Sequence, residues 1–99
     1  MEDFKEKLDA YVASIKPLQT ALARGWERVA PLASFEEREI PHKVWEAAAS
    51  LGEIKELNNQ ILTVARTYLG DVAADVTEAH MKGELVTRGC PEHLRDAFV

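Results

Sequence analysis

With a single cysteine, Cys90, the chain cannot form an internal disulfide, and a lone thiol suits a reducing compartment better than a secreted one. No apolar run approaches the ~20 residues that span a bilayer. The start, Met1-Glu2-Asp3-Phe4-Lys5, has no basic segment leading into a continuous apolar stretch, so no signal peptide is expected. Basic charge is also scarce. Twelve Lys and Arg stand against seventeen Asp and Glu, for a net charge of −5 and a pI near 5.1. That balance argues against a binder of phosphate backbones, and no expected helix is rich enough in Arg or Lys to read a DNA groove. The five glycines never gather into a phosphate-cradling loop, no Ser/His/Asp arrangement stands out, and no internal repeat is present. No catalytic residue, metal or cofactor is expected, and neither is an enzyme.

What the chain does have is an apolar stripe at spacings of three and four. It runs through Phe4, Leu8, Tyr11, Ile15, Leu18, Leu22, Trp26 and Val29. It resumes at Val44, Ala48, Leu51, Ile54, Leu57, Ile61, Val64, Tyr68, Val72, Val76 and Ala79. Such a period belongs to amphipathic helices, whereas a strand would alternate in steps of two. Hydrophobic residues at 46% are ordinary for a folded chain. The expected fold is all-α and occupies 1–99 as one domain, with about three main helices and a short C-terminal one.

Local signals place the boundaries. Glu2 and Asp3 complement the positive end of a first helix. Pro17 interrupts that helix, but the stripe keeps its phase from Ile15 to Leu18, which favours one kinked helix that stops before Ala30-Pro31. Residues 31–40 read as a connector. Ser34 and Glu37 have capping-box spacing there, and Pro41 suits the first position of the next helix. The phase survives Gly52 and Gly70, so helices over 41–69 and 71–87 are expected, with a bend at Gly70-Asp71. Arg88, Gly89 and Pro91 mark a helix stop, after which residues 91–99 can form a short helix with Leu94 and Phe98 on one face.

Several constellations invite chemistry, and each has a plainer structural reading. His42 with Glu46, and His80 with Glu84, are i,i+4 pairs without the further ligands of a zinc or di-iron site, so they read as surface pairs. Asp71, Asp75 and Glu78 share a helical face, yet the alternating acids of a calcium loop are missing, and Asp71 serves simply as an N-cap. Cys90-Pro91 with His93 has the elements of a thiolate ligand for haem, but also those of a helix stop followed by a proline-started helix. A ligand-, haem- or metal-responsive sensor built on Cys90 and His93, or on the Asp71/Asp75 face, is the alternative functional reading.

The favoured reading is a protein-binding regulator of inhibitor, antiactivator, antitoxin-like or chaperone type, cytoplasmic and acting by occlusion of a partner's surface. Residues 34–58 hold six acids against three bases, a band able to meet a basic partner. Trp26, Leu32, Phe35 and Trp45 are the expected partner-binding anchors, because large apolar side chains within a polar rim are how interfaces are built. Long helices on a short chain leave part of each stripe wet, so a homodimer is expected as well.

Overall fold

The computed structural model describes residues 2–29 and 42–99, and the side chains of all but Glu2 and His42 among them. The described residues fold as four α-helices, α1 (Glu2–Val29), α2 (His42–Leu51), α3 (Glu53–Leu69) and α4 (Asp71–Thr87), followed by a 3₁₀ helix at Glu92–Ala97. No strand occurs among them. The all-α class, with three long helices and shorter pieces, is as the apolar period requires.

α1 runs unbroken through Pro17. Pro17 and Ala13, whose carbonyl would have received the missing N–H, are both exposed, so water can take the place of the lost bond. The helix then packs antiparallel along α3. Arg28 pairs with Glu53 at 2.8 Å at one end, while Ile15 meets Ile61 and Leu62 further along. Gly25 is buried at this contact, where a Cβ would lie 3.4 Å from Cγ1 of Ile54. α3 is central and touches both α1 and α4.

The expected single helix over 41–69 is divided in two. Gly52 adopts φ +68°, a left-handed conformation that ends α2, and its carbonyl accepts from the N–H of Glu56 to start α3. Continuity of apolar phase was the wrong guide here, because a one-residue break can preserve the phase while redirecting the axis. Gly70 breaks the chain again at φ +96°, and α4 folds back along α3. Beyond it the stripe does not continue inward: Ala74, Met81 and Leu85 are buried, whereas Val72, Val76 and Ala79 point to solvent. A helix that starts anew after a left-handed glycine sets its own rotation, so phase read across Gly70 carries no information about facing.

The stop at Gly89 forms as its residues dictate. Gly89 sits at φ +80° and donates to the Val86 carbonyl, while Cys90 donates to Leu85 at 3.0 Å, a pair of bonds that closes a Schellman motif. Cys90 and Leu85 then join the same buried cluster, the apolar contact that usually accompanies this cap. That turn aims the 3₁₀ helix back at α2, so Phe98 ends 1% exposed.

Two buried clusters result. One holds Trp26, Val29, Trp45, Ile54, Leu85, Cys90 and Phe98; the other holds Ile15, Ile61, Leu62 and Met81. Leu22 and Val99 pack against both and join them. The expected connector with its Ser34/Glu37 capping box and the Pro41 helix start lie outside the described residues.

Candidate functional site

Of the four expected anchors, Trp26 and Trp45 are brought together and Leu32 and Phe35 lie outside the described residues. The two indoles meet edge to face, 6.2 Å between centroids at 70°. Phe98 completes the group, 5.4 Å from Trp45 at 83° and 6.3 Å from Trp26 at 27°. Edge-to-face and offset contacts at such distances are the favourable arrangements of aromatic quadrupoles. Arg88 covers the open face of Trp26, its Cζ 4.4 Å from the ring centroid, and is held there by Glu84 at 3.0 Å. Trp45 is fully buried and Trp26 nearly so. Both indoles are thus walls of the bundle's own core, and a contact surface has to be sought among side chains left in water.

The remaining candidates fall in separate places. Cys90 is buried, and desolvation pushes its thiol above the ordinary range even though the nearby Arg95 charge pulls the other way. Its Sγ faces the Pro91 carbonyl at 3.6 Å. Such a thiol is protonated at neutral pH and hence a poor nucleophile. His93, three residues on, is exposed. Asp71 pairs with Arg66 at 3.3 Å across the Gly70 turn, and Glu78 with Lys82 at 3.7 Å. Glu84 is taken by Arg88, and its expected partner His80 stands exposed. Glu46 is exposed too, and the side chain of His42 is outside the described set. Among the described residues no three His, Cys, Asp or Glu side chains converge as a metal site would require.

Asn58 has a role that its sequence context concealed. It is 2% exposed, and its amide donates to the Phe98 carbonyl at 2.6 Å, fastening the C-terminal turn to α3. Its Oδ1 and the Trp45 indole N–H have no hydrogen-bond partner among the described residues. Asn58-Asn59 reads in sequence as a weak point in a helix; only the return of residue 98 to the same level reveals a buried clasp.

Besides the outward valines of α4, two apolar features are open among the described residues. Between α1, α2 and α3 lies a cleft of about 320 Å³ floored by Val29, Val44, Ala48 and Ile54, with exposed Leu51 at its lip. The Arg28–Glu53 pair and Lys43 form its polar rim. Its size and lining suit one or two apolar side chains from outside. The other feature is the first part of α1. Counting 1.5 Å per residue from the Arg28–Glu53 pair, the seventeen residues of α3 run out near the level of Tyr11. Phe4 and Leu8 continue the inward stripe beyond that level with no helix opposite among the described residues, and are 64% and 39% exposed. Val12, on the flank of the same stripe, is 52% exposed.

No helix among the described residues is long and apolar enough to cross a membrane. Comparison with known proteins finds no family model, no curated protein and no solved structure that matches this chain.

Proposed function

We propose that this chain is a non-enzymatic, cytoplasmic protein-binding regulator that works by occlusion. It lays the projecting end of α1 into an apolar groove on another protein, and it does so as a homodimer. The observation that carries the reading is the unmet stripe of Phe4, Leu8 and Val12, which extends past the end of α3. Anchors at i and i+4 on one helical face are the form in which an amphipathic helix is received by a partner's groove. The opposite face of the same segment, Asp3, Glu6 and Asp9, is charged and exposed, which orients the contact. Leu32 and Phe35 belong to the proposal as further partner-binding anchors, and the lone buried thiol supports a reducing compartment.

The test is a photo-crosslinking residue placed at Phe4 in native cells, with exposed Gln19 as the control position. A discrete protein adduct at position 4, absent at 19 and lost on adding Leu8→Asp, is expected. Equal labelling at both positions, or an adduct indifferent to Leu8→Asp, sinks the α1 contact. Alanine at Leu32 and Phe35 should weaken capture of that partner while helicity and melting hold; a collapse of melting with capture intact would remove them from the site.

A further inference from the structure

α4 is apolar on two faces. The inward face carries Ala74, Met81 and Leu85; the outward face carries Val72, Val76, Ala79, Gly83 and Val86. Those five positions are spaced 4, 3, 4 and 3, the a/d rhythm of a helix that packs along another helix. All five are exposed, the valines at 77%, 64% and 55%. A helix apolar on both sides is normally covered on both sides.

Gly83 sharpens the point. It lies in the interior of α4, where glycine lowers helix stability relative to alanine, and a Cβ built there meets nothing within 4 Å. Nothing among the described residues calls for a bare backbone at that position, whereas a second helix crossing closely would. The flanks identify which helix. Asp75 and Lys82 are exposed and lie on one side of the seam, two turns apart; Ala73, His80 and Thr87 lie on the other. If two copies of α4 meet face to face and antiparallel, a two-fold axis brings like flanks together, and Asp75 of each copy comes opposite Lys82 of its mate. A parallel pair would set those charges against Ala73, His80 and Thr87 instead.

We infer that the outward face of α4 is a self-association seam, on which a second copy of this chain packs antiparallel with Val72, Val76, Ala79, Gly83 and Val86 at the contact and reciprocal Asp75–Lys82 pairs on its flank. The inference rests on the homodimer part of the functional proposal and names its surface; it is independent of the α1 contact. Lys82 now reaches Glu78 only at 3.7 Å, so it is not committed to a tight pair within its own helix.

Sedimentation equilibrium from micromolar to hundred-micromolar concentration tests it. The wild-type chain should approach twice 11.1 kDa. Gly83→Arg, a better helix former at an exposed position, should remain helical and sediment as a monomer. Asp75→Lys should weaken the dimer roughly tenfold by setting like charges on the shared flank, and adding Lys82→Asp should restore it. The doubly substituted Phe4→Asp, Leu8→Asp chain should keep the dimer mass. A wild-type monomer across the range, a dimer unmoved by Gly83→Arg, or a charge-swapped double variant no tighter than Asp75→Lys overturns the seam. So does a dimer that the Phe4/Leu8 changes abolish. Loss of the position-4 adduct with the dimer intact speaks only against the α1 contact.

Discussion

The two ends of this bundle are built from the same kind of helix and finish differently. At the end where α1 stops and α3 begins, α2 and the 3₁₀ helix fold across the helix tips, and Trp26, Trp45 and Phe98 lie against one another with Arg88 over the outermost ring. At the Gly70 end no described element folds across. A single glycine turns α3 into α4, and the stripe of α1 runs on past both, leaving Phe4 and Leu8 in water. Large apolar residues at helical spacing are therefore not a measure of core. What decides is whether an element sits opposite them, and among the described residues the short pieces α2 and Glu92–Ala97 supply that cover at one end only.

If this contrast is right, substitutions should be severe at the closed end and nearly silent at the open one. Trp45→Ala should be the most damaging, at about 3–5 kcal/mol in denaturant unfolding, because a fully buried indole leaves a cavity between Trp26 and Phe98. A loss under about 1 kcal/mol would mean that the aromatic cluster is not core. Asn58→Ala comes next, at about 1–3 kcal/mol, since the Phe98 carbonyl loses its buried donor. Amide exchange across 92–98 should accelerate in the same variant; unchanged protection there would dissociate the clasp from the C-terminal turn.

The thiol at the closed end offers a milder probe. Burial raises the Cys90 pKa, so the unfolded chain loses its thiol proton first as pH rises, and unfolding becomes easier above the ordinary thiol value of 9.0. Stability from this group is complete below that pH and is lost through the folded pKa. Cys90→Ser should flatten the alkaline slope, and alkylation of the native protein at neutral pH should be slow compared with the unfolded chain. Rapid native labelling would place Cys90 at the surface. Smallest of all, Phe4→Ala and Leu8→Ala should each change stability by no more than about 0.5 kcal/mol, as exposed positions do. A large loss would mean that this stretch of α1 is already covered.

Much of the fold was legible because it depends on local chemistry. The period of three and four made the described residues all-α, and Gly89 with Pro91 ended α4. The candidate site was far less legible. Trp26 and Trp45 carry the bulk of an interface anchor, and sequence offers no way to tell an anchor from a core plug when both need large apolar area. Asn58 was invisible as a clasp because its partner is forty residues away.

By itself, then, the sequence determined which residues are helical and where the strongest stop lies, since capping, proline geometry and glycine at positive φ act within a few residues. Tertiary structure alone decided which apolar residues are interior. Rotation about each helix axis after Gly52 and Gly70, and the number of residues that α1 extends beyond α3, are settled by how elements distant in sequence meet. On those two facts depend the burial of Trp26 and Trp45, the exposure of Phe4 and Leu8, and the outward turn of Val72, Val76 and Val86.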